Sequence, residues 1–129
     1  MASILKVDTI TGVSTAGSIA VTGEGNSTTT NLQQGLLKTF SLSAADGTSI
    51  SDSFNISSLS DDGTGLQTFS LTNSMSSANY IAHSTGKNSL SGMITDSHAT
   101  GSYRTVVRRF ADQSLFDDIP QTSAIGDLA

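Results

Sequence analysis

Three observations predict a mainly β chain: an antiparallel β-sandwich or jelly-roll-like domain behind an extended N-terminal arm and one short helix. Serine and threonine make up 40 of the 129 residues. Charged residues are only 13% and aromatics 5%, where a soluble domain usually carries about 25% charge. From residue 38 onward, short runs alternate apolar and polar positions between glycine- and aspartate-bearing turn signals. Threonine is β-branched and suits a pleated surface, whereas serine and glycine suit turns. A disordered chain of this length would carry more charge and more proline; here there is one proline, Pro120.

The arm is assigned to residues 1–30. Leu5 and Val7 alternate with Lys6 and Asp8, a short strand pattern over residues 2–10. Ile4, Leu5, Val7 and Ile10 are its apolar anchors. Gly12 and Gly17 punctuate it, and residues 18–22 form a second β-like piece. Residues 23–30 contain no hydrophobic side chain. Such a segment buries little of itself and is expected to dock on a neighbour.

Residues 31–38 are the one helical segment predicted, a connection between arm and body. Asn31 can cap it, and Leu32, Leu36 and Leu37 fall on one side. Gly35 weakens it, and one heptad is too short for a coiled coil.

Residues 39–129 are the β-domain. Strands are predicted at 38–44, 50–58, 65–72, 78–85, 89–95 and 102–110, with a further short one at 123–125. Turn signals lie between them at Asp46-Gly47, at Asp61-Asp62-Gly63-Thr64-Gly65, at Gly86-Lys87-Asn88 and at Thr100-Gly101. Evenly spaced short strands of this kind belong to sandwiches and jelly rolls. Phe40, Phe54, Phe69 and Phe110 are expected in the core, as is Tyr80. The segment 111–129 is acidic, with Leu115, Phe116 and Ile119 as its large apolar residues, and is expected to be loose.

Composition also excludes function classes. Without cysteine there is no disulfide framework, thiolate catalysis or thiolate zinc site. A net charge of −5 with no basic stripe disfavours nucleic acid and anionic membranes as partners. No run is long enough to span a bilayer, and the opening residues do not read as a secretory signal. Asn26-Ser27-Thr28 and Asn55-Ile56-Ser57 match a glycosylation sequon, a chance match in a chain so rich in these residues.

Two stretches resemble a known group. The opening, from Ala2-Ser3-Ile4-Leu5-Lys6 to Val7-Asp8-Thr9-Ile10, resembles the start of short tail-fibre-like virion proteins of marine bacteriophages and cyanophages. The body is similar to a strand–turn–strand module of the same proteins, in three pieces. These are Asp52-Ser53-Phe54-Asn55-Ile56-Ser57-Ser58, Asp61-Asp62-Gly63-Thr64-Gly65, and Phe69-Ser70-Leu71-Thr72-Asn73-Ser74-Met75-Ser76 followed by Ala78-Asn79-Tyr80. The ending Gly126-Asp127-Leu128 is also similar. The chain departs from the pattern after Phe40, where the relatives carry an aromatic pair and a glycine-rich turn. The resemblance implies a virion structural protein, a homotrimer, with an attachment arm and a C-terminal β-domain.

Constellations that carry chemistry elsewhere have blander explanations here. Asp61 and Asp62 are adjacent, whereas a calcium loop alternates its acids and ends in Glu; a capped tight turn accounts for them. Asp117 and Asp118 are expected in solvent. His83 and His98 would need a third metal ligand such as Asp96. Asp96, His98 and either Ser84 or Ser91 invite comparison with a catalytic triad, but no nucleophile elbow is present. No catalytic, cofactor-binding or metal residues are assigned, and the chain is expected not to be an enzyme.

The basic cluster Arg104, Arg108 and Arg109 is the candidate contact, together with Tyr103. In a strand Arg104 and Arg108 share one face and Arg109 lies opposite. Arginine forks suit carboxylates. Asp112, Asp117 and Asp118 across a subunit boundary are therefore the expected partners, ahead of an anionic host glycan.

The function expected is a virion structural protein, made in the host cytoplasm: a trimeric tail-fibre or spike component contributing to host-surface attachment. The alternative is a capsid decoration or head-fibre protein; a secreted bacterial adhesion module ranks third. Its partners would be its own copies, other virion proteins and a host surface glycan or protein.

Overall fold

The computed structural model describes residues 4–12, 19–22, 29–44, 49–87 and 91–126, apart from the side chains of residues 33 and 34. The chain divides into two units, Met1–Leu36 and Leu37–Ala129. The Asp46-Gly47 turn, the Asn26 sequon, Gly17, Asn88 and the Asp127-Leu128 ending lie outside the described residues.

In the first unit, residues 4–12 contain no strand, although the alternation at residues 2–10 predicts one. A strand needs a ladder partner, and period-two patterning does not supply it. Strands β1 (Ala20–Thr22) and β2 (Thr29–Asn31) pair antiparallel, with Val21 opposite Thr30. Thr29 and Thr30, expected in an extended arm, therefore belong to a hairpin. The helix is a single turn, α1 (Leu32–Gly35). Asn31 is claimed by β2, and residues 37–38 belong to the next strand. Glycine disfavours helix continuation, and Leu37 beyond it serves a sheet instead.

The second unit is a β-sandwich of two four-stranded antiparallel sheets. One sheet holds β3 (Leu37–Ser43), β4 (Ile50–Phe54), β7 (Ile81–Gly86) and β10 (Pro120–Ile125), in the order β4-β3-β10-β7. The other holds β5 (Ile56–Gly63), β6 (Leu66–Leu71), β8 (Ser91–Ala99) and β9 (Ser102–Arg109), in the order β5-β6-β9-β8. The predicted strand at 50–58 is thus two strands. The chain switches sheets at Asn55, whose φ of 59° is left-handed. Asparagine tolerates this region because its side chain bonds locally. Its amide donates to the carbonyls of Lys38 (3.2 Å) and Asn73 (3.1 Å), and its Oδ1 accepts from the Asn73 N–H (2.7 Å). That sequon side chain is a structural clamp.

The turn predicted at 61–65 is tighter than expected: it is made by Thr64 and Gly65, and residues 61–63 end strand β5. Asp61 Oδ1 accepts from the Gly63 N–H at 2.9 Å, a side-chain-capped turn. Gly65 sits at φ +69°, and a Cβ there would lie 2.7 Å from the Val107 carbonyl oxygen and 2.8 Å from the Phe116 nitrogen. Only glycine lets this turn lie against the end of β9.

The acidic C-terminal segment is not loose. Its last strand is longer than predicted and central, paired with β3 on one side and β7 on the other. Pro120 begins it, the position where a strand tolerates a missing N–H. The segment leading to it is pinned: Asp117 Oδ1 accepts from the Gly65 N–H (2.7 Å), and the Phe116 N–H bonds the Val107 carbonyl (3.2 Å).

The apolar core comprises Phe69, Leu71, Met75, Tyr80, Tyr103 and Ala124, with Ile56, Leu59 and Ala82 against it. It is small, and hydroxyls and amides share the interior: Thr39, Ser41, Ser43, Gln67, Thr105 and Thr122 are all buried. Phe69 and Tyr80 are in the core as expected. Phe40, Phe54 and Phe110 are not; they are exposed.

Candidate assembly surface

Strand β3 decides where the apolar side chains go. Thr39, Ser41 and Ser43 point into the sandwich, so Phe40 and Leu42 point out. The pairing register extends the outward set across the whole sheet. Phe54 lies opposite Phe40, which lies opposite Ser123, which lies opposite His83. One pair along, Leu37, Ile125 and Ile81 form a second row. The Phe40 and Phe54 rings stack with centroids 6.3 Å apart and 25° between planes. Phe40 is 36% exposed, Phe54 52% and Ile81 60%.

This sheet is therefore built with its polarity reversed. Hydroxyls face the interior and phenylalanine, leucine and isoleucine face outward. A one-residue slip of β3 would bury Phe40 and Leu42 instead, yet the observed register exposes them. At the outward register positions the face carries one carboxylate, Asp52, and no lysine or arginine. Lys38 is buried at the β3 register shift.

The opposite sheet presents the charged surface. Arg104 and Arg108 share its outer face, as predicted. Arg104 forks onto Asp96 of the neighbouring strand, Nε to Oδ1 at 2.9 Å and Nη2 to Oδ2 at 3.0 Å. This pairing holds the Asp96 carboxyl below its usual range and raises the guanidinium. Arg108 donates to the Gln113 carbonyl (2.9 Å), and the Arg109 guanidinium lies 4.5 Å over the Phe116 ring.

The acids expected to meet these arginines across a subunit boundary have partners within the chain. Asp112 accepts from the Ser114 hydroxyl and N–H, which holds its carboxyl low, with Arg109 adding a smaller contribution. Asp117 takes the Gly65 N–H, and Asp118, buried rather than solvated, takes the Ser91 hydroxyl and the Ile119 N–H. Phe110 stands between two clefts. One is lined by Arg109, Ala111 and Phe116, and the other includes Ile94 and Arg108.

Tyr103 is not a surface residue. It is fully buried, stacked on Phe69 at 5.4 Å, with its hydroxyl 2.6 Å from Thr122 Oγ1 in the facing sheet. Its position on β9, one residue before outward Arg104, turns it inward.

The histidines and serines of the triad comparison are dispersed. Asp96 is engaged by Arg104. The His98 ring stacks on Tyr80 at 4.9 Å, and Ser91 bonds Asp118. Ser84 is half-buried, and His83 is on the outward apolar face. Among the described residues, no three acidic or histidine side chains are grouped to hold a metal ion, and no helix is long and apolar enough to cross a membrane.

In the first unit, the arm residues Ile4, Leu5, Val7 and Ile10 are all exposed. Ile10 also lines a shallow groove with Ile19, Leu32 and Leu36.

Period-two alternation separates the two faces of β3 and β4 but not inside from outside, so the expectation of Phe40 and Phe54 in the core does not hold. No known protein family, curated protein or solved structure matches this chain.

Proposed function

We propose that this chain is a virion structural protein, a homotrimeric tail-fibre or spike component contributing to host-surface attachment. The observation that carries the assembly part is the outward apolar face of the β4-β3-β10-β7 sheet. A small domain that puts hydroxyls in its interior and phenylalanines in solvent gains burial only when something covers them. The four exposed apolar side chains of residues 4–10 add to the same argument. The virion part rests on the resemblance of the opening and of the Asp52–Tyr80 stretch to tail-fibre-like proteins. The charged outer face of the other sheet, with Arg104 and Arg108, and the exposed Arg109 and Phe110 at the end of β9 are the surface left for a host glycan or protein.

The deciding experiment is the copy number of this protein per purified particle, by mass spectrometry against the major capsid protein. A low number in multiples of three is the expected result. A number comparable with the capsid protein moves it to the shell as a decoration protein and removes the attachment role. Absence from particles overturns the proposal.

A further inference from the structure

We infer that the ridge at Phe110 binds an acidic polysaccharide, with one sugar ring stacked on the phenyl group and carboxylates on either side held by Arg108 and Arg109. The inference rests on the attachment reading above and names its ligand class.

The ridge is held in place by its own loop. Phe110 directly follows β9 and is 65% exposed. The Arg109 N–H donates to the Ser114 carbonyl, and the Arg109 carbonyl accepts from the Gln113 N–H. The Gln113 side-chain amide donates to the Phe110 carbonyl at 3.4 Å. The ring lies against Gly92, where a Cβ would stand 3.0 Å from Phe110 Cε1. Its exposed part is therefore a fixed apolar platform, and the C–H face of a pyranose packs on such a platform.

Each side of the ridge has a cleft with one guanidinium. The larger, of about 530 Å³, is lined by Arg109, Ala111 and Phe116, and clefts for small ligands run from about 300 to 1,000 Å³. The smaller holds Arg108 and Gln113. Both cations are already positioned, Arg109 over the Phe116 ring and Arg108 on the Gln113 carbonyl. Neither makes an ion pair among the described residues, where Arg104 with Asp96 is the pair present. Asp112, the nearby acid, is engaged by Ser114.

Charge and order select the ligand. In a chain of net −5, two adjacent exposed guanidinium groups without carboxylates complement an anion from outside. They stand on opposite sides of the ring, so the ligand carries charge on both sides of an apolar-faced unit. A polyuronate has that order, with a carboxylate on every ring. An acidic peptide fits less well, because an extended peptide binds by adding to a strand edge. Here β9 offers no edge: Arg108 pairs with Gly92 on one side and Leu115 on the other.

The test titrates the full chain by calorimetry with tetragalacturonate and tetramannuronate. Neutral galactotetraose and the peptide tetraglutamate are the comparisons. At least one uronate is expected to bind about tenfold or more tighter than either comparison, and more weakly as salt is raised. Phe110→Ser and Arg108→Gln/Arg109→Gln are each expected to weaken that binding about tenfold or more. Phe54→Ser, at an exposed phenylalanine on the other sheet, is expected to leave it unchanged.

Chemical-shift mapping on the unaltered protein covers the case in which a variant misfolds. The Phe110 ring protons and the Arg108 and Arg109 Nε–H signals are expected to move on adding the uronate, and the Phe54 ring protons are not. Binding of neither uronate, equal or tighter binding of galactotetraose or tetraglutamate, or shifts centred away from Phe110 overturns this inference and leaves the virion proposal standing. The particle count tests that proposal separately: absence from particles removes it whatever the uronates do.

Discussion

The Tyr103 hydroxyl lies 2.6 Å from Thr122 Oγ1, and the two residues belong to different sheets. Both are buried, so this hydrogen bond ties β9 to β10 through the middle of the sandwich. Tyr103→Phe leaves the Thr122 hydroxyl without that partner, at an expected cost of about 1–3 kcal/mol. Adding Thr122→Val removes the stranded group and is expected to recover most of the loss. Urea denaturation of the three proteins checks it; a double variant as unstable as the sum of the singles argues that packing, not the bond, is what Tyr103 supplies.

Alkaline pH offers a second test through the same core. Burial pushes the Tyr80 phenol from 10.0 up to about 12, and it raises Tyr103 as well. The Tyr80 hydroxyl donates toward the Ser102 carbonyl at 2.7 Å and the Ala99 carbonyl at 3.1 Å, bonds that require the proton. The unfolded chain releases its phenolic protons near 10 while the native state retains them. Stability is therefore complete below pH 10 and falls as pH rises from 10 to about 12. Denaturation at stepped pH measures the fall, and ultraviolet titration of the native protein reads the phenols directly. An ordinary titration midpoint for both tyrosines in the native state contradicts the prediction.

Asn55 tests the link between the sheets. Asn55→Ala loses three side-chain hydrogen bonds and places a Cβ-bearing residue without a bonding side chain at φ 59°. Bonds of this kind contribute about 0.5–1.5 kcal/mol each, and the left-handed conformation costs about 1–2 kcal/mol. Asn55→Gly removes the bonds but accepts the backbone angle, so it is expected to be the milder change. Chemical denaturation ranks them; equal losses would mean that the backbone angle contributes nothing.

Much of the sandwich is legible in residue order because its signals are local. The turn after β5 follows from adjacent aspartates and two glycines, and β6 and β9 follow from alternation bounded by turns. The sheet switch at Asn55 leaves no mark in the pattern, because apolar residues recur on both sides of it at Ile50, Phe54, Ile56 and Leu59. Strand β10 is longer than its sequence pattern indicates, because Asp117, Asp118 and Pro120 resemble a solvated tail. Asp118 and Pro120 are buried and Asp117 is held by the Gly65 N–H, placements that depend on Gly65, Ser91 and β3, which are distant in sequence.

Side-chain periodicity, turn chemistry and composition are properties of neighbouring residues, and they settle that this chain is an antiparallel β protein with many short strands. Which face of a strand meets the interior is not a neighbouring-residue property. Phe40 and Thr39 alternate whichever way β3 is turned; pairing with β10 and packing against the other sheet turned the threonine in and the phenylalanine out. The same long-range pairing buried Tyr103 and assembled the apolar rows of the outer face. Strand pattern is set over two residues, whereas burial is set by contacts between segments tens of residues apart, and only the folded chain brings those together.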